Sequence, residues 1–161
     1  MKIVLNTSPI IFLSKIDSIN FLADCIDEVY LPKGVVDELC EYELPSFIKV
    51  HTLSKTGAAY VRGALGQLHQ GELEAIVLAQ EMSVDYVVLD DLLARRKAQR
   101  LELGVIGTLG LLLLLEKRSV LSAEETWHKI RQLTEQHGMY IAPQILQQIK
   151  NQLFCIHLNN S

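Results

Sequence analysis

The sequence predicts an α/β fold in three layers, with a central, mainly parallel sheet between two layers of helix. Three observations predict it. Short continuous apolar runs of strand length alternate with longer helical patterns, as in parallel sheets covered on both faces. The chain has 161 residues, 49% of them hydrophobic and 21% charged, which suits one globular domain with a full core. No linker, low-complexity tract or internal repeat interrupts it, so a single domain over residues 1–161 is expected, with a helical tail from residue 119.

The elements follow in order. Residues 2–5 read as a buried strand that stops at Asn6. Thr7, Ser8 and Pro9 then read as a helix start, with Ser8 at the cap and Pro9 at the first helical position. Ile10, Ile11 and Leu13, then Phe21, Leu22 and Ile26, suggest two helices broken near Asp17 and Ser18. Residues 28–31 form the second strand, and Pro32 opens a helix that carries Val35, Val36 and Leu39. Residues 47–53 form the third strand. Residues 55–69 are amphipathic, weakened by Gly63 and Gly66. A strong helix over 71–82 leads to a strand over 85–89 and a charged helix over 91–101. A short strand over 104–106 precedes a buried helix over 108–117. Two more helices are expected, over 123–136 and 143–153.

Bulk properties exclude several classes. A net charge of −4 does not advertise nucleic-acid binding, which would need a local basic patch. Cys25, Cys40 and Cys155 are odd in number and far apart, with no CxxC, so a reducing, cytoplasmic setting without disulfides is expected. The apolar run 109–115 is too short for a bilayer, which takes roughly 20 residues. His51, His69, His128, His137 and His157 show no HxxxH or HExxH spacing, so zinc is not expected. GxSxG, P-loop and GxGxxG motifs are absent.

In a parallel sheet, ligands gather at the carboxyl ends of the strands. Asn6 follows the first strand there, and Asp90 and Asp91 follow the strand Tyr86-Val87-Val88-Leu89. Asp91 alone could equally be a helix cap. Glu72 shares a helix face with Ala75, Ile76 and Ala79 and so heads an inward stripe. Glu74 aligns instead with Leu78 and Glu81 and reads as solvated. Glu38 follows Val35 by one turn, with its neighbour Asp37 as the alternative inward acid. If these acids converge, two unit charges at ~4 Å repel by about 4 kcal/mol at an effective dielectric near 20. Protons or a cation resolve that repulsion. All-oxygen ligands suit Mg²⁺ or Mn²⁺, which can activate water and neutralise a phosphodiester.

The run "ARRKAQR" directly after the Asp pair is the clearest basic patch, where Arg95, Arg96 or Arg100 could hold a phosphate backbone. "GVIGTLG", with Thr108, is a weak phosphate cradle, equally readable as close helix packing.

These residues, in this order, resemble the PIN-domain nucleases. "VLNTSPIIFLSKI", "LPKGVVDEL", "GELEAIVLAQE" and "VVLDDLLARRKAQRLELGVIGTLGLLL" carry the resemblance, over roughly residues 1–118. The nearest group is a subgroup catalogued as a domain of unknown function and related to the VapC-type toxins. The resemblance implies an α/β/α fold and a metal site at Asn6, Glu38, Glu72, Asp90 and Asp91. It also implies Mg²⁺- or Mn²⁺-dependent endoribonuclease activity, with Ser8, Arg95, Arg96, Arg100 and Thr108 toward the RNA. It further implies a homodimer and a small antitoxin protein. Asn6 departs from the pattern, because the family has Asp there. Asn offers a carbonyl oxygen but no charge, so the resemblance implies an impaired nuclease. The alternative is a catalytically degenerate module that binds RNA or protein. A small-molecule enzyme with a phosphate on the Gly-rich turn is a more distant third.

Overall fold

In the computed structural model, which describes residues 1–155, five strands form one all-parallel sheet in the order β3-β2-β1-β4-β5. The strands are β1 (Lys2–Leu5), β2 (Glu28–Pro32), β3 (Ile48–His51), β4 (Tyr86–Val88) and β5 (Val105–Ile106). The α/β expectation is met, and the sheet is parallel throughout. His157 lies outside the described residues.

Helices cover both faces because each strand alternates its side chains between them. Ile3 and Leu5 of β1 join one core, with α1 (Thr7–Lys15), α6 (Thr108–Lys117), α7 (Ala123–Glu135) and α8 (Pro143–Cys155). Val4, between them, joins the other, with α4 (Gln70–Met82) and α5 (Leu92–Arg100). The short α2 (Lys33–Glu38) follows β2, and α3 (Lys55–Ala64) packs on α4 through Val61, Leu73 and Val77. No helix among the described residues is long and apolar enough to cross a membrane.

Four local expectations need correction. The first helix starts two residues earlier than Pro9, with Asn6 rather than Ser8 at its cap. Pro9 then falls at the third helical position, where an N–H would have no partner inside the helix. The segment around Phe21 is a 3₁₀ turn, Ile19–Asp24, and not an α-helix. The helix expected over 55–69 stops at Ala64, and Gly66 lies just beyond its end.

The fourth correction concerns Glu74, which is buried at 8% exposure. α4 is buried without a break from Leu73 to Ala79, since it lies between the sheet and its neighbours α2 and α3. Glu74 Oε1 accepts a 2.8 Å hydrogen bond from Gln70 Nε2. Oε2 has no partner and lies over Gly34 in α2, where a Cβ would overlap the carboxylate.

Gly34→Ala should therefore lower stability by about 1–3 kcal/mol, the usual range for an overpacked contact. In a Glu74→Ala background the same substitution should cost much less. Urea unfolding of the four proteins measures the coupling, and additive losses would contradict the contact.

Candidate functional site

The strand order reverses direction between β1 and β4, which makes a crevice at their carboxyl ends. Asn6 leaves β1 there, and Asp90 and Asp91 follow β4. Glu72 arrives on the first turn of α4 and Glu38 on the last residue of α2.

Each carboxylate is held by a donor near the start of a helix. Glu72 Oε2 accepts from His69 N at 3.0 Å and caps α4. Asp91 Oδ1 accepts from Ala94 N at 2.8 Å and caps α5. Asp90 accepts from both Thr108 N (2.8 Å) and Thr108 Oγ1 (2.7 Å) at the start of α6. Glu38 Oε2 accepts from Thr7 Oγ1 at 2.8 Å, on the first turn of α1. The capping and functional readings of Asp91 therefore describe one residue in one place.

Asn6 differs from all of them. It is 6% exposed, and its Oδ1 is buried with no hydrogen-bond partner. Its side chain makes no cap bond to α1. An N-cap side chain ordinarily binds the second or third helical N–H, and the third residue here is Pro9, which has none. Oδ1 faces Gly71 instead. A Cβ built at Gly71 would lie 3.4 Å from Asn6 Oδ1 and 3.2 Å from Glu38 Oε1. Two acceptor oxygens thus share a space that a glycine leaves open.

Glu72 completes the picture electrostatically. Burial raises its pKa above the ordinary carboxylate range, and the Asp91 and Glu38 charges raise it further. His69 N–H opposes them. Asp91, exposed at the crevice, acts on Glu72, while both oxygens of Asp90 are turned to Thr108.

The basic residues divide. Arg95 is half-buried beside Asp90: a Cβ at Gly107 would lie 2.7 Å from Arg95 Nη1 and 3.1 Å from Asp90 Oδ1. Arg96, Arg100 and Ser8 are exposed. Thr108 is fully buried, with its hydroxyl committed to Asp90. Two residues that sequence reasoning missed are Thr7 and Gly71. The order Asn-Thr-Ser-Pro signalled Thr7, and the glycine before Glu72 signalled Gly71.

A divalent cation can be tested against this donor set. Among the described residues, no three His, Cys, Asp or Glu side chains stand close enough together to hold a metal ion. The chemistry nevertheless fits, because the donors are all oxygen and one of them, Asn6 Oδ1, is buried without a partner.

The comparisons bear on the family and the fold. A family model described as a PIN domain, DUF3368, matches residues 2–153. A PilT N-terminus domain protein, SSO1118, from the hyperthermophilic archaeon Sulfolobus solfataricus P2 has a similar solved structure, with a TM-score of 0.51 at 18% identity. The match covers 88% of this chain and 100% of that one. No curated protein matches the chain.

The raised Glu72 pKa has a consequence for stability. The folded chain keeps that proton to higher pH than the unfolded chain, so this contribution is present below pH 4.5 and is lost as pH rises through the folded value. Glu72→Gln keeps an acceptor for His69 N–H and removes the titration. The melting temperature of the unaltered chain should therefore fall relative to Glu72→Gln as pH rises above about 4.5. Parallel pH profiles would contradict the placement of Glu72.

Proposed function

This chain belongs to the DUF3368 family of PIN domains, and on that premise we propose that it is a metal-dependent endoribonuclease of the PIN type, impaired by Asn6. The single observation that carries the reading is the unpartnered Asn6 Oδ1 beside Glu38 at the Gly71 gap, at the carboxyl edge of the sheet.

Asn6, Glu38, Glu72 and Asp91 would hold Mg²⁺ or Mn²⁺, with Asp90 behind them. Such an ion supplies an activated water and neutralises the phosphodiester in the transition state. The chain's own residues do the rest. Arg95 lies beside Asp90, where its guanidinium can pair with a non-bridging phosphate oxygen. Thr108 fixes Asp90 through two bonds, and Thr7 fixes Glu38 through one. Asn6 supplies an oxygen without charge, and ligand charge count governs affinity for a hard cation. That is the impairment.

The reading extends to a cytoplasmic toxin restrained by a small antitoxin protein, and to a homodimer. Leu92 at 58% exposure and Tyr140 at 85% are apolar side chains available to such partners. A second reading, a non-hydrolytic RNA-binding or protein-binding module, is favoured by the lack of three acids within metal-holding distance among the described residues.

Mn²⁺ should stabilise the Asn6→Asp variant by about 2.7 kcal/mol at a hundredfold excess over its dissociation constant, far more than it stabilises the chain with Asn6. Thermal unfolding in EDTA and in Mn²⁺ reads this directly. Asn6→Asp should also cleave single-stranded RNA in Mn²⁺, and adding Glu38→Gln should abolish cleavage. A variant indifferent to Mn²⁺ and inert toward RNA would leave only the binding module.

Gly71→Ala tests the gap itself. Its Cβ would fill the space between Asn6 and Glu38. In the Asn6→Asp background it should remove most of the Mn²⁺ response, whereas Gly63→Ala, with nothing within 4 Å, should leave it intact.

A further inference from the structure

A second recess opens where α3, α4 and α5 meet, with a cavity of about 240 Å³. Leu68 and Leu93 line its apolar part beside the buried Leu73, and Gln67, Lys97 and Arg100 line its polar part. No acid lines it. Lys97 and Arg100 lie on adjacent turns of α5, and neither is ion-paired among the described residues. Lys97 Nζ sits 5.8 Å from the centre of the Tyr60 ring, which holds it at the α3 side. In a chain of net charge −4, two free cations over an acid-free recess are a local exception.

Leu73 follows Glu72 on α4, and Leu93 lies two residues after Asp91, so the recess and the acidic edge share α4 and α5. We propose that this recess holds a nucleotide of single-stranded RNA, its phosphate on Lys97 and Arg100 and its base over Leu68 and Leu93. The inference rests on the nuclease reading of the acidic edge and adds where the strand runs. Adjacent unpaired cations match a phosphodiester, and an apolar lining accepts the face of any base. A base held inside a duplex has no free face to offer, so the site selects single strands. Lys97, absent from the sequence-based list of RNA contacts, joins it.

Fluorescence anisotropy with a mixed-sequence single-stranded RNA, in EDTA to separate binding from cleavage, tests this. A Lys97→Gln/Arg100→Gln variant should lose at least tenfold in affinity at low salt. Its slope of log K against log salt should shrink by about 1.4, from ~0.7 per lost phosphate contact on a single strand. Arg118→Gln, at the far end of α6, should bind as the unaltered chain does. Equal binding by the double variant would overturn the recess and leave the acidic edge standing. No RNA binding by the unaltered chain would overturn both. Unchanged RNA affinity with an altered association state in sedimentation would assign the recess to a second copy of the chain.

Discussion

Carboxylates gathered at one edge of a sheet repel one another, and the fold answers with N–H groups and hydroxyls at the starts of its helices. In a parallel sheet, the helix that follows a strand begins at the strand's carboxyl end, with its first N–H groups unsatisfied and its dipole positive there. α4, α5 and α6 each give a backbone N–H to one acid of the edge, Glu72, Asp91 or Asp90. α1 contributes the Thr7 hydroxyl to Glu38. The acids are kept apart by the donors that stabilise them. The same bonds place them at the mouth of one crevice, so architecture and chemistry meet in a single set of contacts.

Asn6 occupies the one position where that arrangement has no donor. It caps α1 by its backbone and not by its side chain. Pro9 removes one of the two N–H groups that would otherwise engage it, and Gly71 removes the Cβ that would fill the space in front of it. The position is built to leave an oxygen free. A carboxylate there would carry an unbalanced charge beside Glu38, which a cation would balance. An amide leaves the same oxygen and lowers the repulsion.

Much of this was legible in the sequence. β1, β2 and β4 are continuous apolar runs ended by polar or turn-forming residues, and their placement needed only periodicity. Asn6, Glu72 and the Asp pair were readable because each directly borders a strong element. Glu74 was misread because a helix wheel assumes one wet face, and α4 has almost none over its middle turns. The end of α3 was misplaced because amphipathic spacing continues past Ala64, through a segment that contains Gly66. Which oxygen meets which N–H lies beyond a pattern of residue types. Asp90 and Asp91 are identical on paper, yet one turns to Thr108 and the other to the crevice.

The strand order also governs when the site comes into being. β1 lies at the centre of the sheet between β2, which follows it closely, and β4, whose neighbourhood it reaches across 83 positions through the Lys2 N–H to Asp85 bond. Closing so long a loop is entropically costly and comes late in assembly. A growing chain can pair β1 with β2 and β3 as these emerge. It then holds only Asn6 and Glu38. Glu72, Asp90 and Asp91 join them when β4 docks on the exposed flank of β1, and Asp90 gains its anchor only with α6. A chain that stops before Thr108 therefore lacks the two donors that hold Asp90, and the acidic edge is complete only when the start of α6 is in place.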